Sequence, residues 1–137
     1  MPDSTRHARL AIAQDLLTHI GRGDLGKAAN SLSEKVVYTA HGNNALSGSY
    51  TGPEEVAAHL LRLTTMTEST FESFKWDDWL VGEHHVAGMT TVHAHAAGRK
   101  YSGHHVLLVT FNSADKIEGI TVFFENQGAI DRFIGPK

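Results

Sequence analysis

The chain has 137 residues, 41% hydrophobic and 20% charged, with a formal net charge of −3 when its ten histidines are neutral. That composition predicts one soluble globular domain, 1–137, and leaves no basic footprint for nucleic acid. With no cysteine there are no disulfides and no cysteine nucleophile, and no apolar run approaches a membrane span, so the expectation is a cytoplasmic protein.

Leu10, Ala13, Leu16, Leu17 and Ile20 recur at helical period and predict a first amphipathic helix, stopped by Gly21 and Gly23. Asp24 can cap a second, short helix with Leu25, Ala28, Ala29 and Leu32 as its apolar positions. Val36–Ala40 is β-branched and aromatic and reads as the first strand. The next stretch, HGNNALSGSYTG, is rich in turn residues and reads as a loop. Pro53, Glu54 and Glu55 start a third helix, which continues through Val56, Leu60, Leu61 and Leu63.

Residues 71–81, FESFKWDDWLV, predict a strand with Phe74, Trp76 and Leu80 on one parity and Phe71, Trp79 and Val81 on the other. Two long arms follow within 84–111, joined at Ala97-Gly98-Arg99. Residues 116–124 form a last strand, and Asn126 caps a final short helix carrying Ala129, Ile130 and Phe133. Helices gathered early and antiparallel strands late indicate an α+β domain. Helices packed across a curved sheet leave a pocket at one end of its concave face.

Six of the ten histidines lie in the hairpin. His93 and His95 share one strand face; a two-residue turn at Gly98-Arg99 would bring His104 opposite His93, and a change of one residue in the loop brings in His105 instead. Imidazoles so placed suit general acid/base work on an enolisable ketone, a divalent metal site, or an ordinary set of surface and core histidines. No carboxylate within the hairpin completes a metal set. His41 follows the first strand, and Tyr38 on that strand offers a phenol for a developing oxyanion. Asp77-Asp78 lies between two indoles. Alternation points one carboxylate to each face, and one beside an indole would have a raised pKa. Phe74, Trp76, Trp79, Met89, Tyr101 and Phe123 are core candidates that also suit an apolar pocket wall, with His95 beside them.

Three strings, GRGDLGKAANSLSEKVVYTAHGNNALSGSYTGPEEVAAHL, DDWLVGEHHVAG and DKIEGITVFFENQGAIDRF, resemble the SnoaL-like branch of the nuclear-transport-factor-2-like superfamily. The resemblance covers nearly the whole chain. It implies a cone-like curved antiparallel sheet with the N-terminal helices packed across it. It also implies a pocket for a small apolar organic ligand, worked on without a cofactor by cyclases, isomerases or dehydratases. The second face of the sheet is apolar too (Met89, Val106 and Leu108, or their opposite-parity neighbours), which predicts a homodimer that covers it. Against the family pattern, the last strand has Thr121-Val122 where an acidic residue is common, and no Asp-Arg-Asp set of the epoxide-hydrolase kind is present. The resulting expectation is histidine-led proton transfer on a small apolar carbonyl compound. His93 or His105 would move the proton and Tyr38, Asp78 or His41 would assist; the rival is the same pocket binding a ligand without turnover.

Overall fold

The computed structural model describes residues 3–21, 24–68 and 74–137. The elements are α1 (Asp3–Gly21), α2 (Leu25–Ala29), β1 (Leu32–Ala40), β2 (Gly48–Thr51), α3 (Pro53–Met66), β3 (Phe74–Val81), β4 (His85–Ala96), β5 (Arg99–Phe111), β6 (Ile117–Phe124) and α4 (Gln127–Ile134). Asp24 accepts from the Lys27 N–H at the start of α2, and Asn126 accepts from the Ala129 N–H at the start of α4, as their positions predict. The stretch that the turn residues mark as a loop contains strand β2, which is four residues long, begins at a glycine and lies at the sheet edge. The described part of the β3 region begins at Phe74, so the expected strand residues before it lie outside the described residues.

The six strands form one curved, open sheet in the order β2-β1-β6-β5-β4-β3. It is mixed rather than purely antiparallel, because β1 runs parallel to β6. The cause is α3, which carries the chain back from β2 so that β3 runs in the same sense as β2. Three reversals later β6 arrives beside β1 pointing the same way. The architecture is α+β, and α1, α3 and α4 pack on one face of the sheet.

Rows of side chains running across the strands define the inner face. Tyr38, Ile120, Val109 and Val86 make one such row, and all four are buried. Ala13, Leu16 and Leu17 of α1 and Val56 and Leu60 of α3 pack onto it as the main core. Each fully buried Val, Leu or Ile contributes about 1.5–3 kcal/mol. A second core gathers Ile130, Phe133 and Ile134 of α4 against Val92, Ala94 and Tyr101 at the far end of the hairpin. Helix α4 is thus anchored by its own apolar side over the open end of the sheet, and that places it at the mouth of the concave face.

The turn settles the register of the hairpin, which the loop length alone leaves open. The turn is Ala97-Gly98, with φ of 49° and 82°, and Ala96 pairs with Arg99. Positive φ at both central residues is the type I′ geometry, whose twist matches that of the flanking strands. His93 therefore faces Ser102, His95 faces Lys100, and His105 faces Thr90. In β3 the pairing slips at Asp77, so that Trp76 registers with Thr90 and Trp79 with Gly88. The bulge brings both tryptophans into register with inner-face positions of β4, where simple alternation had separated them.

Candidate functional site

Within the mouth of the concave face lies a mostly apolar cavity of ≈ 50 Å³. Its floor is Tyr38 and Ala40 of β1 with Val122 and Phe124 of β6; α3 contributes His59 and Leu63. The loop between β1 and β2 adds His41, Asn44 and Leu46, and α4 closes the far side with Ile130 and Ile134. The space holds a few atoms of ligand, well short of a pocket for a drug-sized molecule.

His59 is the polar centre of this cavity. It is 2% exposed, and neither ring nitrogen has a hydrogen-bond partner among the described residues. Its ring stacks on Tyr50 (centroids 4.1 Å apart, 26° between planes) and meets Tyr38 at 4.7 Å. Burial, reinforced by the Arg62 guanidinium, lowers its pKa to about 4, so the imidazole is neutral at physiological pH. A neutral imidazole presents one donor and one acceptor. Burial, and then the neighbouring Tyr50, push the Tyr38 phenol well above its ordinary range, so Tyr38 stays a neutral O–H donor.

The hairpin histidines divide by parity. His93 and His95 are exposed on the outer face of the sheet: His93 Nδ1 lies 2.8 Å from Ser102 Oγ, and His95 Nδ1 lies 3.4 Å from Glu68 Oε2. They face away from the cavity, because β4 turns Val92, Ala94 and Ala96 inward. His105 is on the inner face and 5% exposed, yet it does not line the cavity. Its Nε2 lies 2.9 Å from the Tyr101 hydroxyl, and its ring meets Phe124 edge-on. Burial, with His104 beside it, lowers its pKa to about 4 as well. Among the described residues no group of three or more His, Cys, Asp or Glu could hold a metal ion.

The remaining expected residues separate in the same way. Tyr38 and His41 line the cavity. Asp77 and Asp78 are both exposed: Asp77 accepts from the Thr91 hydroxyl and Asp78 from the Trp79 N–H, so neither is the dry carboxylate that the flanking indoles suggested. Met89 (40% exposed) and Phe123 (45%) lie on the outer face, with the His41 ring 5.4 Å from that of Phe123. Trp79 packs on the main core, and Tyr101 on Phe133. The Phe74 and Trp76 side chains lie outside the described residues. The polar centre that sequence reasoning missed is His59. Its signal was the helical face Val56, His59, Leu60, Leu63, a histidine set in an apolar stripe.

The sheet order, the helical layer and the pocket beneath α4 define the class: the chain has the nuclear-transport-factor-2-like fold. No family model matches the sequence, and no curated protein matches it. Solved structures do match. A protein of unknown function with a cystatin-like fold from Xanthomonas campestris is 25% identical over 93% of this chain and 98% of its own, with a TM-score of 0.85. A nuclear-transport-factor-2-like protein from Burkholderia xenovorans is 17% identical over 93% and 95%, with a TM-score of 0.78. A protein with a ketosteroid isomerase-like fold from Catenulispora acidiphila, in complex with trimethylamine, is 13% identical over 92% and 93%, with a TM-score of 0.73.

Proposed function

We propose that this chain binds a small, neutral, largely apolar carbonyl compound and moves a proton on it without a cofactor, as an isomerase, cyclase or dehydratase does, with His59 as the proton carrier. The observation that carries this reading is the buried His59, neither of whose nitrogens is bonded, in the wall of an apolar cavity. Buried polar groups are almost always paired, and an exception calls for a functional account. The fold class is consistent with this reading, although it hosts many activities.

In this reading the Tyr38 hydroxyl donates to the carbonyl oxygen, and the neutral His59 takes the adjacent proton and returns it elsewhere. At a pKa of about 4 the imidazole alone is a weak base. Negative charge developing on the carbonyl oxygen raises its proton affinity as transfer proceeds, while Tyr38 stabilises that charge. The cavity lining carries no Asp or Glu, so a charged ligand of either sign finds little support there beyond the influence of Arg62.

That same lack of a lining carboxylate favours a second reading, in which the pocket holds a neutral apolar ligand without turning it over. Proton exchange separates the two. In D2O, wild-type protein should accelerate α-proton exchange of acetone or butanone, followed by NMR. His59→Phe should slow the catalysed rate by about 10²–10⁴-fold, the usual worth of a general acid or base. Exchange at the background rate with wild type, or equal rates in both proteins, removes the catalytic reading.

A further inference from the structure

Two walls of the pocket, the loop over residues 41–47 and the helix α4, are joined by one carboxylate oxygen. Asp131 Oδ1 accepts from Asn44 Nδ2 at 2.8 Å and from Gln127 Nε2 at 3.0 Å. The same Gln127 nitrogen donates to the His41 carbonyl at 3.3 Å. Asn44 is 4% exposed, and its Oδ1 accepts from the Leu46 N–H at 2.8 Å, so its amide serves both the loop's own turn and the helix. Gly42 has φ of 91° and sits so close that a Cβ there would overlap Gln127 Nε2 and Asp131 Oδ1. Only glycine fits beneath this junction. A backbone strap, the Ala45 N–H donating to the Gly135 carbonyl at 2.8 Å, ties the loop to the end of the same helix.

Both sides of the junction carry cavity-lining residues: Asn44 and Leu46 on the loop, Ile130 and Ile134 on α4. Separating loop from helix would therefore open the cavity sideways and bring water to His59. We infer that Asp131 is a positioning residue of the pocket: through its shared Oδ1 it holds the 41–47 loop against α4, sets the size of ligand the cavity admits and keeps water from the His59 ring. Burial works against the ionised carboxyl, but hydrogen bonds from Asn44, Gln127 and the Asn43 backbone, with the Arg132 charge, outweigh it and hold the Asp131 pKa below its ordinary value. The latch is thus an ionised acceptor at neutral pH. The inference rests on His59 as the polar centre of the pocket, but it can be read without any ligand.

The test is an NMR titration of the His59 ring in intact wild type, Asp131→Ala, Asp131→Asn and Gly42→Ala. The expected wild-type pKa is about 4. Asp131→Ala should raise it by about one unit or more towards the unperturbed 6.5, because desolvation is what depresses it. Asp131→Asn keeps an Oδ1 acceptor for both amides and should leave the value unchanged. Gly42→Ala wedges the junction apart with Asp131 still present and should shift the pKa upward, which keeps the test decisive should Asp131→Ala fail to fold. A His59 pKa that stays near the wild-type value in both Asp131→Ala and Gly42→Ala overturns the inference, and so does Asp131→Asn behaving like Asp131→Ala. If His59 shifts as expected while ketone exchange stays at background, the catalytic reading falls and the latch stands.

Discussion

An imidazole buried with neither nitrogen bonded forfeits about 1–3 kcal/mol for each stranded polar group. His59 carries that cost between Tyr38 and Tyr50, beside a small apolar cavity. A purely structural position would do better with an apolar ring. His59→Phe should accordingly be more stable than wild type at pH 7, by about 1 kcal/mol or more in urea unfolding, while losing any activity; this is the trade-off seen where a site is kept for function. The pH dependence follows from the same burial. His59 and His105 titrate near 4 in the folded chain and near 6.5 when unfolded, so between those values the unfolded chain binds more protons. Their contribution is intact above about pH 6.5 and is lost as the pH falls towards 4, to the extent of up to about 3 kcal/mol for each histidine. Unfolding curves at pH 7 and pH 4.5 should show that loss in wild type and a smaller one in His59→Phe; equal losses would mean that His59 is not held neutral by burial.

At the scale of elements, the hairpin of β4 and β5 decides which histidines meet the pocket, and its turn decides the register. Ala97 occupies a left-handed conformation that favours Asn or Gly, and Gly98 follows at positive φ with open space around it. Ala97→Asn should therefore raise stability by about 0.5–1 kcal/mol, and Gly98→Ala should lower it by about 1–2 kcal/mol through backbone conformation alone. Thermal unfolding of the two variants checks both signs. Sequence alternation separated the inner Val86–Ala96 parity from that of His93 and His95 correctly. It could not say which side faced the helices, because both sides of the hairpin are rich in apolar residues. Nor could it foresee the bulge at Asp77, which moves Trp79 across to the inner parity and leaves Asp78 outside. A bulge is an extra residue in the pairing, invisible until the partner strand is known. Strand β2 was missed for a related reason: a four-residue edge strand within Gly, Ser and Asn has too little pattern to stand out from a turn.

For the whole molecule, the helices, the long strands and the α+β class were legible because each is written in local periodicity and capping, and the resemblance of the three strings pointed to the same fold. The site was only half legible. Tyr38 and His41 stood where a strand end and its following loop reach the pocket, but the polar centre came from α3, and contact between helix and sheet has no local signature. Six histidines share one hairpin, whereas His59 stands alone in an apolar helical face with no motif around it. Parallel pairing of β1 with β6 then brings Tyr38 and Ala40 beside Val122, under His59, which only the assembled sheet can do. The histidines now become reporters of where a ligand sits: His59 inside, His105 behind Tyr101, and His93, His95 and His104 on the outer face. Butanone titrated into the protein, with every histidine ring followed by NMR, tests most directly whether the ligand sits at His59. The His59 signals should move in a saturable way, while those of His93, His95 and His104 stay in place. Saturable shifts on the outer-face histidines with His59 unmoved would contradict that placement.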